Sequence, residues 1–366
     1  MIAQVLRRDL SRRFYVQSRT VRSAALRIAY LVYARTLSRT ELLSRPEAIQ
    51  SLRARMEQLF EEDWMDAEEG LYPRSLINGF GLGLPLLEYA SAAPKLVADL
   101  PRTRSRILRE DFSELPEDAS PERYPAYYAR NFHYQSEGYL GHTSAELYDL
   151  QVELLFGGTA DVMRRRLIPP VVRFARTSGS SRTRPLKLLD VACGTGHLLR
   201  MLGEALPDAR LTGLDLSPHY VARARELLPR EHEVSLVVDN AESLPFLDSH
   251  FDVATNVFLF HELPRDVGQR VLSEMARVVR PGGLVVVADS IQLHDAPELR
   301  EELLRFPMRF HEPYYKGYIE DDLAGRVREA GLRVIEQRCA FLTKVVVAEK
   351  PLTTEEGRKG GNQAAS

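Results

Sequence analysis

Leu188-Leu189-Asp190-Val191-Ala192-Cys193-Gly194-Thr195-Gly196-His197 is the stretch whose reading decides the fold. An apolar run passes through a Gly-x-Gly turn into a helical pattern, the order strand, turn, helix. Glycines at such a turn let the backbone approach a ligand where a Cβ would collide. Asp215 ends the next apolar run, nineteen residues after Gly196, where an acid can accept both hydroxyls of an adenosine ribose. A dinucleotide fingerprint needs a third glycine where this chain has Leu199, and a phosphate-gripping Gly-Lys-Ser/Thr is absent. Asp190, four residues before Gly194, would repel phosphate. A cationic nucleoside bearing an amino acid suits the loop better.

Outward from this loop, short apolar runs alternate with amphipathic segments. Leu186–Val191, Leu211–Asp215, Val234–Val238, Phe251–Val257 and Leu284–Asp289 read as strands, with helices near 197–206, 218–228 and 265–279. That alternation predicts an α/β fold with a parallel sheet covered on both faces. A helix at about 320–330 should stop at Gly331. Val334–Ala340 and Leu342–Ala348 then follow with so short a spacer that they must pair antiparallel. Upstream, residues 15–110 read as mostly helical, and Pro116, Pro121 and Pro125 mark an ordered linker. Thr143-Ser144-Ala145-Glu146 has the form of a capping box, Gly157-Gly158 ends the helix that follows, and another helix runs from about Ala160 into the Ser/Arg stretch 178–184. The expected organisation is an N-terminal helical substrate or lid region over 1–140, a main domain over 141–350 with its core at 186–349, and a disordered tail over 351–366.

With 366 residues, 44% of them hydrophobic, the chain can bury a large core. Its formal charge of −2 argues against a nucleic-acid binder driven by overall charge. Cys193 and Cys339 are the only cysteines, which excludes a disulfide framework and a cysteine-rich zinc site. Neither His261-Glu262 nor His311-Glu312 has the spacing of a metal-binding helix, so no metal is expected. No apolar run reaches the roughly 18–20 residues of a membrane span, and a cytoplasmic location is expected. Residues 1–40 hold nine arginines and one acid, Asp9. This basic start reads as an ordinary helix with a solvated face; an organellar import segment and a face for anionic lipid stay open.

Taken together, these segments resemble the class I S-adenosylmethionine-dependent methyltransferases, especially the small-molecule group around the ubiquinone and menaquinone enzymes. The resemblance spans about 186–290. It rests on Asp190 to Gly196, Leu214-Asp215-Leu216-Ser217, Asn240-Ala241-Glu242-Ser243-Leu244-Pro245-Phe246, Phe251-Asp252 through His261-Glu262-Leu263-Pro264, and Arg277 to Gly283. It implies a Rossmann-like seven-stranded sheet with an antiparallel last strand, and S-adenosyl-L-methionine as cofactor. Backbone at Ala192, Gly194 and Gly196 would face the methionine moiety, beside Thr195, with Asp190 near the ammonium group. Asp215 would bind the ribose and Leu216 would pack on adenine. The Ala241 N–H would meet the adenine ring, and Asp239 or Asn240 would accept from its amine. Asn256, at the end of the fourth strand, is a further cofactor candidate. The aromatic segment 127–140 is similar to the upstream part of a group of bacterial and plant methyltransferases, which makes Tyr134 and Tyr148 candidate covers.

Methyl transfer needs alignment and exclusion of water, and a base only for a weakly acidic acceptor. His261 and His311 are the candidate bases. The insertion 291–318 should border the acceptor, with Phe306, Phe310, Tyr314 and Tyr315 as candidate contacts to an apolar or aromatic small molecule. His261 reads equally well as a group that orients its loop. The expected activity is O- or C-methylation of a small acceptor. The alternatives are a methyltransferase acting on RNA or protein, or a non-catalytic cofactor-binding scaffold. Against nucleic acid, Asn256-Val257-Phe258-Leu259 replaces the Asn/Asp-Pro-Pro-aromatic signature used on flat exocyclic nitrogens. The oligomeric state is left open.

Overall fold

The computed structural model describes residues 2–37, 45–78, 86–116, 119–230 and 232–352. The proposed tail therefore lies, beyond Leu352, outside the described residues. The chain opens with helices α1 (Ile2–Leu37) and α2 (Pro46–Glu68), the single turn α3 (Ser75–Asn78) and α4 (Leu86–Arg109). Short 3-10 turns cross residues 121–140 and lead into α5 (His142–Leu155), α6 (Ala160–Arg165) and α7 (Ile168–Thr177). The regular alternation follows: β1 (Lys187–Val191), α8 (His197–Ala205), β2 (Arg210–Asp215), α9 (Pro218–Leu227), β3 (Val234–Val238), β4 (Phe251–Val257), α10 (Arg265–Val278) and β5 (Val279–Ser290). Then come α11 (Arg300–Phe310), α12 (Tyr315–Glu320), α13 (Leu323–Glu329), β6 (Arg333–Ala340) and β7 (Thr343–Glu349).

The seven strands form one sheet in the order β3-β2-β1-β4-β5-β7-β6. β1 to β5 run parallel, and β7 slots between β5 and β6 antiparallel to both. The order reverses between β1 and β4, so their carboxyl ends open a crevice, the usual ligand position in such sheets. β5 starts five residues earlier than the apolar run suggests. Val279 already pairs with Phe251, and the register then shifts before Val253 meets Leu284.

Two local readings need correction. The helix expected from Ala160 onward is two helices, α6 and α7, broken at Arg166-Leu167. There the fully buried Arg166 turns back to Asp63 and Asp66. The capping box is not formed either. α5 starts at His142 behind Gly141 without a side-chain cap, and Glu137 from the preceding turn accepts from the Thr143 N–H at 3.1 Å and from the Thr143 hydroxyl at 3.2 Å. Ser144 is turned inward, donating to Gln135 and sharing a bond with the Tyr220 hydroxyl.

Leu52, Leu59, Phe60 and Trp64 of α2 belong to the same buried cluster as Val171, Val285 and Val345 around the sheet. A buried ionic knot fastens this packing. Asp63 receives two hydrogen bonds from Arg165 at 2.8 and 2.6 Å, one from Arg166 at 2.9 Å, and others from the hydroxyls of Tyr15 and Tyr72. Burial alone would raise the Asp63 carboxyl, but the two guanidiniums hold it well below the usual range. α1, α2 and the α6–α7 break thus meet at one carboxylate.

Candidate functional site

The glycine turn follows directly from β1. Ala192, Gly194 and Gly196 all have left-handed backbone, at φ +54°, +55° and +82°. A Cβ on Gly194 would meet no protein atom closer than Tyr220 Cδ1 at 4.0 Å, so the turn leaves that side open. The turn is braced from behind. Thr195 Oγ1 donates to Asp149 Oδ1 at 2.8 Å, and the His197 ring lies between Asp149 (3.3 Å) and Asp161 (3.2 Å). Burial opposes charge on His197, but the two carboxylates raise its pKa to about 10. α5 and α6 therefore clamp the turn through a charged imidazole.

A narrow cleft of about 110 Å³ lies over the ends of β1, β2 and β3. Ala192, Gly194, Asp215, Leu216, Asp239, Asn240 and Ala241 form its floor and sides. Tyr127, Tyr128, Tyr139, Tyr148 and Tyr220 roof it. Asp215 accepts from the N–H of Gly194 and of Ser217, both at 2.9 Å, and burial lifts its pKa to about 6. Asp190 lies behind the lining, accepts from Thr255 Oγ1 at 2.8 Å, and is pushed up to about 7 by burial and by Asp215 nearby. Two raised acids side by side mark a place for a cation. The sulfonium and ammonium charges of S-adenosylmethionine fit that need, and a pyrophosphate does not.

Not every candidate reaches the cleft. Thr195 is turned to Asp149, away from it. Gly196 packs against Ala224 and Leu228. The fully buried Asn256 donates from Nδ2 to the Val191 carbonyl at 2.7 Å, tying β4 to β1. Tyr148 lines the cleft; the Tyr134 side chain lies outside the described residues. Asp239 and Asn240 both line the cleft, and the Asn240 Oδ1 accepts from the Glu242 N–H.

Beside the cleft is a second cavity of about 600 Å³, walled mainly by apolar side chains of α1, α2, α5 and α11. Tyr148, Phe258 and Glu262 line both spaces. Phe258, a bulky residue at φ +58°, holds the left-handed backbone right at this junction. Phe306, Phe310 and Tyr315 line the cavity. Tyr314 does not; it packs against the aromatic roof and under Arg130. His311 does not either. It caps α11 at φ +44° and stacks on Phe112 with ring centroids 4.0 Å apart. Burial and the nearby Arg130 lower its pKa to about 4. As a candidate base it sits in the wrong place.

His261 is in the cavity wall, and it is not alone. Its Nδ1 lies 2.5 Å from Asp289 Oδ1, and its Nε2 faces Glu312 at 3.7 Å and Glu262 at 3.9 Å. His133 reaches Glu312 at 3.3 Å and Glu262 at 3.5 Å, and the Tyr139 hydroxyl donates to Glu262 at 2.7 Å. Burial would keep His261 neutral, but Asp289, Glu312 and Glu262 raise it to about 10. Burial raises the Glu312 carboxyl despite both imidazoles. Two imidazoles and three acidic side chains thus converge on the inner end of an apolar cavity. Sequence reasoning missed His133, Glu262, Asp289 and Glu312 as partners of His261. The pairs His261-Glu262 and His311-Glu312 carried the only signal, and in the second pair the glutamate is the member that points inward.

Residues 188–283 match the family model described as a methyltransferase domain. The chain is 33% identical over 183 residues to the O-methyltransferase cnsE of Penicillium expansum, covering 49% of this chain and 61% of that protein. It is 36% identical over 142 residues to the ubiquinone/menaquinone biosynthesis C-methyltransferase UbiE of Methylobacterium nodulans, covering 38% of this chain and 53% of the relative. Over 108 residues it is 39% identical to the 2-methyl-6-phytyl-1,4-hydroquinone methyltransferase of Synechocystis, covering 30% of this chain and 33% of that protein. The chain thus spans less than two thirds of the length of these curated relatives. The match falls on the strand–turn–helix units that build the cleft, and residues 188–283 form a methyltransferase domain similar to that of these S-adenosylmethionine-dependent enzymes.

Proposed function

We propose that the protein transfers a methyl group from S-adenosylmethionine to an oxygen or carbon atom of a small acceptor with an apolar or aromatic body. The observation that carries this reading is the junction at Tyr148, Phe258 and Glu262, where the acid-floored cleft meets the large apolar cavity. The sulfonium supplies an electrophilic methyl group, so the chain needs no covalent nucleophile. Asp190 and Asp215 favour the cationic nucleoside, while the tyrosine roof and the helices over the cavity keep water from the junction.

An acceptor hydroxyl at the inner end of the cavity would lie among His261, Glu312, His133 and Glu262. With His261 held charged by its carboxylates, the group suited to take its proton is a carboxylate of raised basicity, and burial gives Glu312 that character. His261, held by Asp289, orients the hydroxyl and offsets the negative charge that develops on its oxygen as the proton passes to Glu312. A cavity roofed by α1 and α2 suits a small molecule better than an RNA or protein chain. The test is transfer of labelled methyl to a panel of phenols, hydroquinones and apolar carbon acids, with cofactor affinity measured in parallel. Glu312→Gln and His261→Asn should lower transfer by at least about a hundredfold while cofactor binding stays intact. Full transfer by both variants would remove the cluster from the chemistry.

A further inference from the structure

Helix α1 presents a surface that its packing leaves uncovered. Leu10, Phe14, Val21, Ile28 and Val32 are each 62–75% exposed. At 3.6 residues per turn the five fall within an arc of about 40°, a single stripe along the helix. Arg13, Arg27 and Arg35 are exposed on one flank of it. Asp9 is the only acid in α1, and it is already paired with Arg12 and Arg13 at 2.9 Å. The opposite face of the helix carries the buried Tyr15, Arg19 and Ala34.

The stripe also borders the cavity mouth. Val21 is at once a member of the stripe and a lining residue, as are the exposed Ala24 and Arg27 beside it and the half-exposed Ile49 of α2. An apolar ridge flanked by arginines thus opens directly into an apolar cavity. We propose that α1 lies on the surface of an anionic lipid bilayer, its stripe among the acyl chains and its arginines at the phosphates, so that an apolar acceptor enters the cavity from the lipid. Charge decides the occupant. A second copy docking through the same face would bring Arg27 and Arg35 against their equivalents, while Asp9, the only acid of the helix, is already held by Arg12 and Arg13; anionic headgroups complement these arginines instead. No helix among the described residues is long and apolar enough to cross a membrane, so the contact is with the interface alone.

This inference goes beyond the proposed activity, and its readout needs no turnover. The full chain is mixed with vesicles of phosphatidylcholine alone or with an equal part of phosphatidylglycerol, and co-sedimentation is measured at 0.1 and 0.5 M salt. Binding is expected on the anionic vesicles, weakened several-fold at the higher salt as the arginines are screened. The double variant Phe14→Asp/Val32→Asp, which touches no cavity-lining residue, should lower partitioning at least about tenfold. Arg13→Glu/Arg35→Glu should lower it on anionic vesicles only, and it stands in if the first variant misfolds. Cofactor affinity should be unchanged in both. Absence of vesicle binding, or equal binding by both variants, would overturn the proposal. So would a dimer in solution that Phe14→Asp/Val32→Asp splits, since the stripe would then be a contact between copies. Vesicle binding without any cofactor binding would instead defeat the functional reading and leave this one standing.

Discussion

Asp190→Asn isolates the two-acid floor of the cleft. The wild-type carboxyl is buried and pushed up to about 7, against roughly 3.9 in an unfolded chain. The folded state therefore keeps a proton that the unfolded state has already lost. Stability from this group is complete below about pH 4, falls as pH rises, and is fully lost once pH passes about 7. Between pH 5 and 8 the shift amounts to a loss of about 2–3 kcal/mol in the protein without ligand. The amide cannot ionise, so the variant should miss that loss while keeping the bond from Thr255 Oγ1. The assay is urea unfolding of both proteins at pH 5, 6, 7 and 8, comparing the difference between them at each pH. Cofactor binding supplies the second half. A bound cation should favour the ionised carboxyl, so wild-type binding near pH 6.5 should release protons, detectable by calorimetry in buffers of different ionisation enthalpy. The variant should bind at least about tenfold more weakly and release fewer. A stability difference that does not change with pH, or proton release unchanged in the variant, would show that Asp190 does not answer a cation.

Asp215→Ala should weaken cofactor binding by roughly 1.5–3 kcal/mol in calorimetry, because charge-assisted bonds to the ribose disappear. Gly194→Val should abolish binding in a folded protein, since the turn's φ of +55° and the open side of the residue belong to the ligand; wild-type affinity in a folded variant would exclude this turn as the site. Asp63→Ala should destabilise the protein by about 3–5 kcal/mol in denaturant titration, leaving Arg165 and Arg166 buried without their shared carboxylate. Phe306→Ala, in the cavity wall, should widen acceptor choice in the methyl-transfer panel while leaving cofactor affinity unchanged; a loss of cofactor binding would mean the two spaces are not separate sites.

The sheet was legible because its central strands, β1, β4 and β5, are largely buried and read as short, mostly apolar runs that end in turns. The acid positions Asp190 and Asp215 were legible for the same reason, since only the carboxyl end of such a strand can carry a ligand group. The acceptor side was not. His133, Glu262 and Glu312 come from three separate connections and Asp289 from the end of β5, and no local pattern ties them together. His311 and Glu312 illustrate the limit: one residue of rotation at the end of α11 sends the histidine to Phe112 and the glutamate to the cavity. The false capping box has a similar cause. Its motif was satisfied on paper, but the helix starts early, at His142, and Glu137 of the preceding turn takes the N–H and hydroxyl of Thr143, the residue that would have capped it.

The large cavity is walled by α1 and α2 at one end of the chain and by Phe341 and Leu342 at the other. Glu62 of α2 meets Arg338 of β6 across 276 residues of sequence. At a synthesis rate of about 5–20 residues per second, α2 leaves the ribosome roughly 14–55 s before its partner strand exists. Until β1 to β5 have been made, Leu59, Phe60 and Trp64 have no sheet to pack on, and Asp63 lacks the arginines that neutralise it until α6 has been made. The cavity therefore cannot close before the β6–β7 hairpin has been made. A message truncated before the final hairpin would yield a chain with the glycine turn and both acids in its sequence and no closed chamber for an acceptor.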